Sequence, residues 1–460
     1  MPWPPLLAVA LMVCVGLAFF ARRNIPPRES RGTSDLAILV SGDTQGLLFP
    51  YGCVAHYPGG LARRGEVVRQ ARAQGQVIYA ELGGALAGDS AYDRVKFAAI
   101  LRGEMAMGVA AHNLGPAEVR LGADELHRLA SESKAPFVST NVRDTQGRPI
   151  AEPLRLVELA GRRIVVTGLL SPQYASDAVK VLDPAAALTD ALAQHAPRYD
   201  SLLVLAYLPG DELAELASRL PARAVLVGPS ESEPSAADSA SVAGRVGREG
   251  RSLVRIDIAV DGDPLWRARD VMVSAVLPED RRQLEIREAY HRELAMHDFA
   301  PTSTGLSLPL PDEVAQSQRV AGTHTCRACH PSDCAVWDSS RHERAWQSLV
   351  DRGMHFDAAC QRCHTTGYGW EGGFSSAKAS RGVGTVGCES CHGPSLAHAE
   401  SWLTAGTTPI RTPFVARQQC ATCHTADTSP SFDYAADWLR IQHGSPVGSR
   451  PGSAGLNGVN

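Results

Sequence analysis

Four pentapeptides repeat one pattern in the last third of the chain. They are Cys326-Arg327-Ala328-Cys329-His330, Cys360-Gln361-Arg362-Cys363-His364, Cys388-Glu389-Ser390-Cys391-His392 and Cys420-Ala421-Thr422-Cys423-His424. Three chemistries begin from such a thiol pair. Two pairs close a four-thiolate zinc site, one pair forms a redox disulfide, and a pair with histidine directly behind it attaches c-type haem. Zinc does not require that histidine, and a redox disulfide does not explain four copies. Histidine is 15 of 460 residues, so chance placement behind all four pairs is on the order of one in a million. Haem accounts for the spacing. Two thiols meet the two vinyl groups on one porphyrin edge, and the next residue turns its imidazole over the ring face to reach the iron. The expectation is four covalent haem c groups, with His330, His364, His392 and His424 as proximal ligands.

The remaining cysteines and histidines follow the same division of the chain. Cys14 lies in an N-terminal apolar run and Cys53 follows alone; the other nine of eleven cysteines fall between Cys326 and Cys423. Nine histidines fall between His324 and His443. After the proximal ligands are assigned, His324, His342, His355, His398 and His443 remain as candidate distal ligands. His342, His398 and His443 are the stronger candidates, His355 and His324 the weaker, and Met354 is an alternative sixth ligand. An iron left without a distal ligand is open to a small molecule. His398 stands six residues behind His392, too near to return to the far face of the same iron, so a neighbouring haem is its expected target. Cys53 and Cys334 are spare thiols. A disulfide between them and two separate thiols both remain open, with the second the better reading.

Composition separates a large ordinary domain from a ligand-dense one. At 44% hydrophobic and 20% charged residues, with a net charge of −4, the chain offers no case for nucleic acid as its main partner. Residues 6–21 are apolar, short for a span of about 20 residues but suited to a secretory leader or a short anchor. No basic residue precedes this run and Arg22 and Arg23 follow it, which opposes export by the positive-inside rule. Covalent haem attachment nevertheless requires an extracytoplasmic compartment. The divisions read as leader or anchor over 1–33, α/β domain over 34–275, helix and linker over 276–318, haem domain over 319–444 and disordered tail over 445–460. Apolar runs at 36–40, 77–80, 164–169, 202–207, 224–227 and 253–260 predict strands. Helical patterns cover 61–73, 92–107, 123–131, 185–194 and 211–218. The fold class is α+β, a layered α/β sandwich followed by a mostly helical or irregular haem domain. Large aliphatic residues are sparse in that last domain, so the haems themselves are expected to fill its core.

The words "CHTTGYG", "CESCHGP" and the late Asp433-Tyr434 and His443-Gly444 make residues 323–444 similar to the cytochrome c-552/554 family of multihaem cytochromes. That resemblance implies electron relay between closely packed haems and places His342, His398 and His443 in distal-ligand words. Residues 35–261 resemble the metallophosphoesterase fold, in particular its 5′-nucleotidase branch, through "ILVSGDTQGLLFP", "PGGLARRGEVVRQAR" and "GREGRSLVRIDIAV". The ligand words are broken. Asp43 is kept, but Gln45, Gly84, Pro116, Ala117 and Tyr207 stand at expected ligand positions, and only Glu118 survives from the Asn-His-Glu word. A two-metal site needs several nitrogen and oxygen donors together, so this domain reads as non-catalytic. His56 and His112 read as surface or cap histidines. The resulting expectation is an exported electron carrier, periplasmic, membrane-anchored facing the periplasm, or at the cell surface. Its partners are redox proteins, either other cytochromes or quinone-linked donors, and an oligomer is compatible with the sequence. A haem-dependent reductase of a small nitrogen or sulfur compound is the alternative; a metal-dependent phosphatase or nucleotidase is the remote one.

Overall fold

The computed structural model describes residues 36–50, 57–195, 198–221, 223–230, 242–258, 266–310, 318–380, 382–404 and 416–443. The N-terminal run, Cys14, Cys53, His56 and the glycine-rich tail lie outside them. Among the described residues no helix is long and apolar enough to cross a membrane.

In chain order the strands begin β1 (Leu36–Ser41), β2 (Gln76–Glu81), β3 (Val109–Asn113), β4 (Phe137–Val138), β5 (Val142–Arg143), β6 (Arg155–Leu159) and β7 (Arg162–Leu170). They continue β8 (Lys180–Val181), β9 (Ser201–Tyr207), β10 (Ala224–Pro229), β11 (Val242–Val246), β12 (Ser252–Ile258) and β13 (Trp266–Met272). The helices among them are α1 (Leu61–Gln74), α2 (Ala91–Ala106), α3 (Pro116–Arg120), α4 (Ala123–Ser133), α5 (Pro184–His195) and α6 (Gly210–Arg219). One sheet runs β13-β12-β1-β2-β3-β4 and another β11-β10-β9-β7-β6; β5 and β8 form a small third sheet. The first is parallel from β1 to β4, with β12 antiparallel to β1.

Period-two alternation stacks the two large sheets. Leu36, Ile38 and Val40 of β1 meet Ile164, Val166, Leu203 and Leu205 of the opposite sheet in one buried cluster. Leu39 and Tyr79 point the other way, under α1 and α2. Val165, Leu202 and Val204 point outward beneath α5 and α6. The result is a four-layer helix–sheet–sheet–helix sandwich. The six apolar runs and five helical patterns named above all occur as strands and helices. β3 had no such signal, because its last residues are His112 and Asn113. Both are fully buried, which corrects the reading of His112 as a surface or cap histidine.

The C-terminal unit is helical and irregular: α7 (Arg281–His297), α8 (Thr323–Arg327), α9 (Pro331–Asp338), α10 (Ala345–Val350), α11 (Ala358–His364), α12 (Glu389–His392), α13 (Leu396–Leu403), α14 (Ala416–Ala421) and α15 (Tyr434–Trp438). Its core continues that of the sandwich. Tyr290, Leu294, Phe299, Leu308, Ala358, Tyr368, Trp370 and Phe374 belong to the same buried cluster as Leu39, Tyr79 and Phe97. Aromatic side chains, each with a large buried area, replace the missing aliphatics there. The proline-rich stretch after α7 is docked: Trp370 Nε1 donates to Leu308 O at 3.0 Å, and Leu308 N donates to Tyr368 O at 3.3 Å.

Candidate functional site

Each of the four Cys-x-x-Cys-His words lies in or at the end of a short helical turn. In the first, third and fourth, the histidine N–H donates to the carbonyl of the first cysteine: His330 to Cys326 at 2.9 Å, His392 to Cys388 at 3.0 Å and His424 to Cys420 at 2.8 Å. This turn puts both thiols and the imidazole on one side of the backbone. The second word closes α11, which Asp357 caps by accepting from Ala359 N.

Histidines from distant words face one another in three pairs. His330 and His398 have ring centroids 6.3 Å apart, His342 and His424 6.1 Å, and His392 and His443 5.8 Å. Two imidazoles on opposite sides of one metal, with metal–nitrogen bonds of about 2 Å, have centroids about 6 Å apart. The pairs thus have the spacing of two imidazoles able to share one metal ion. Each joins different words: the histidine behind the third word meets the first, the one behind the first meets the fourth, and the last meets the third. Among the described residues His364 has no histidine at such a distance. His355 lies against Trp346 and Phe356, and His324 is exposed beside Thr325.

The rings are held so that Nε2 is the available nitrogen. His364 Nδ1 is 2.8 Å from Ala345 O, His424 Nδ1 2.9 Å from Ser429 Oγ, His443 Nδ1 2.9 Å from Ile441 O, and His330 Nδ1 3.4 Å from Asp333 Oδ2. Fixing one ring nitrogen this way selects the tautomer that ligates through the other. Burial pushes the pKa values of His342, His364, His392 and His424 down, and neighbouring histidines add to this for His342 and His392. Neutral imidazole is the ligating form. These residues fit haem iron.

The thiols of different words lie near one another: Cys326 beside Cys388, Cys363 beside Cys423, and Cys391 near Cys420. The first word therefore adjoins the third, the second adjoins the fourth, and the third lies near the fourth. Cys334 is buried and also lies beside Cys388. Glu389, inside the third word, ties that word to the turn before the first: its carboxylate accepts from Ala321 N, Gly322 N and Ser395 N at 2.7–2.8 Å. Its placement between two cysteines carried no signal of that role in the sequence.

The surroundings of Asp43 in the sandwich are closed by protein. Asp43 is buried; Tyr207 donates to its Oδ1 at 2.8 Å and Gln45 to its Oδ2 at 3.1 Å. Burial raises the Asp43 pKa, and those two hydrogen bonds oppose the rise. A Cβ at Gly84 would stand 2.7 Å from the Tyr207 ring and 2.9 Å from Asp43 Oδ1. An aspartate at position 84 is thus incompatible with the Tyr207 that now fills the space. The loops keep a strained backbone, with positive φ at Asp43, Gln45 and Glu249. Behind them lies a buried charge cluster. His112 Nδ1 is 2.6 Å from Glu104 Oε2, and Arg64 Nη1 is 3.4 Å from Glu81 Oε2.

Residues 325–393 match the family described as Cytochrome c554 and c-prime. Over 88 residues the chain is 31% identical to cytochrome c-554 of Nitrosomonas europaea, a match covering 16% of this chain and 37% of that relative. The chain therefore spans well under half of the curated relative it matches. Among solved structures, a 5′-nucleotidase precursor from Thermus thermophilus aligns with TM-score 0.47 and 19% identity, covering 69% of this chain and 68% of its own. The calcineurin-like phosphoesterase YfkN from Bacillus subtilis aligns with TM-score 0.47 and 17% identity, covering 56% of this chain and 97% of its own. The chain thus joins a layered α/β unit to a C-terminal segment that is similar to cytochrome c554 over residues 325–393.

Proposed function

We propose that the chain is an exported multihaem cytochrome that passes single electrons through four covalent haems. The observation that carries this reading is the set of three histidine pairs at 5.8–6.3 Å, each formed across separate haem-attachment words. Cys326 and Cys329, Cys360 and Cys363, Cys388 and Cys391, and Cys420 and Cys423 hold the porphyrins. His330, His364, His392 and His424 would each hold one haem iron, and His398, His443 and His342 would supply the second imidazole to the irons held by His330, His392 and His424. Haem supplies one-electron chemistry when bound. The chain's own work is to fix the imidazoles, keep them neutral and hold the first and third words, and the second and fourth, side by side. Attachment places the protein outside the cytoplasm, in the periplasm or at its membrane. Its partners are redox proteins, cytochromes or quinone-linked donors.

One observation favours a second reading. His364 lacks a facing histidine among the described residues, so its iron is the one able to take a small nitrogen or sulfur oxide. Haem count by intact mass, with a spin-state spectrum, separates the outcomes. Four haems, all low-spin, support relay alone; four with one high-spin support the reductase; fewer than four overturn the tetrahaem reading. His398→Met is expected to alter the spectrum of the His330 haem while all four haems stay attached. The α/β unit is proposed to be non-catalytic, with Tyr207 occupying the lost metal site, and phosphate release from nucleotides above background would overturn that.

A further inference from the structure

The first unit reaches the haem-attachment words at two points, through Asp357 and Asp427. Asp357, the cap of α11, is 3% exposed. Its Oδ1 accepts a short hydrogen bond from Tyr92 of α2 and another from Ala359 N at 3.0 Å. Its Oδ2 accepts from Tyr290 of α7 at 3.3 Å. Tyr92 and Tyr290 are themselves buried, and the electrostatic surroundings of both phenols include Cys360. A buried carboxylate held by two phenols therefore stands at the start of the helix that carries Cys360, Cys363 and His364.

The second point is the loop after His424. Asp427 Oδ1 accepts from Tyr57 at 3.1 Å and from Arg251 Nη2 at 3.2 Å. The Arg251 guanidinium lies 4.6 Å over the Tyr57 ring, and Glu249 closes the cluster by accepting from Tyr57 at 2.8 Å. Glu249 N in turn donates to Asp43 O at 2.7 Å, so this contact is built on the loops around Asp43. The two words reached from the first unit are the neighbours joined by Cys363 and Cys423, and Cys423 packs against the core shared by both units.

We propose that the α/β unit, together with α7, is a clamp on the haem pair of His364 and His424, with Tyr92, Tyr290, Tyr57 and Arg251 as positioning residues that set this pair's reduction potentials apart from those of the other two haems. The proposal rests on the haem reading above. A charge near a haem acts through a poorly screening interior and shifts the balance between its oxidised and reduced forms. The Asp357 carboxylate favours the oxidised haem at His364, and the Arg251 guanidinium favours the reduced haem at His424. The phenols hold Asp357 in place and spread its charge.

The test is a spectroscopic redox titration of the full chain, with the haem count of each variant measured by intact mass. Asp357→Asn keeps a capping oxygen but removes the charge. It is expected to raise the midpoint potential of the His364 haem and leave the haems of His330 and His392 unchanged. Arg251→Ala is expected to lower the midpoint of the His424 haem by a smaller shift, since that contact is partly exposed. Tyr290→Phe, which removes one O–H, serves if Asp357→Asn does not accumulate, and is expected to move the His364 haem alone. Unchanged midpoints with four haems attached overturn the clamp, as does an equal shift of all four. A wild-type count below four overturns the haem reading instead.

Discussion

His112 and His364 are both withdrawn from water, yet their surroundings select opposite charge states. His112 packs against both the Phe97 and Phe137 rings, with Nδ1 bonded to Glu104. Burial pulls its pKa down, but Glu104, then Glu81 and Glu118, drive it up to about 9. It is a cation neutralising a buried acidic cluster. His364 has a backbone carbonyl at Nδ1, and burial leaves it neutral. The comparison teaches that a buried histidine becomes a structural charge or a ligand according to what holds its other nitrogen, carboxylate or carbonyl.

The largest expected effect falls on the ligand side. Replacing Cys360 and Cys363 by alanine is expected to remove one covalent haem, visible in the intact mass, and leave the others attached. Loss of every haem would break the picture of separable words. Next is the charge side. Glu104→Gln leaves a buried cation without its partner and is expected to destabilise by about 3–5 kcal/mol in urea unfolding. The exposed pair of Arg102 and Glu293 supplies the control, where Glu293→Gln is expected to change stability by under about 1 kcal/mol. Equal effects would erase the distinction between the two settings.

The smallest effect is a pH dependence. His112 binds its proton more tightly when folded, so its stabilising contribution is complete below its ordinary value of 6.5 and is lost as pH rises through about 9. Glu81, pushed up to about 7 by burial and then by Glu104, acts in the same direction at lower pH. The thermal midpoint is expected to fall between pH 6.5 and 9, and the His112→Gln variant is expected to flatten that fall. A rising midpoint in this window would reverse the assigned charge state.

Much of the sandwich was legible because its strands are apolar runs buried between layers and its helices carry regular apolar faces. β3 was not, since its signal is a buried pair of polar residues whose satisfaction lies elsewhere in the chain. Asn113 donates to the carbonyls of Leu82, Leu169 and Leu205, each at 3.0 Å, and no local pattern records such partners. Asp357 and Glu389 were hidden for the same reason.

By itself the sequence determined the haem-attachment chemistry, because two thiols and an imidazole at that spacing are local and few other chemistries require them. It also places Gln45, Gly84, Pro116, Ala117 and Tyr207 where the resemblance to phosphoesterases expects ligands. Only the tertiary structure decided which distant histidine faces which word, that Tyr207 fills the space at Gly84, and that Tyr92 and Arg251 reach across to Asp357 and Asp427. Those facts depend on contacts between residues up to 370 positions apart, as between Tyr57 and Asp427. The packing of whole layers sets such distances, and no local spacing in the chain encodes them.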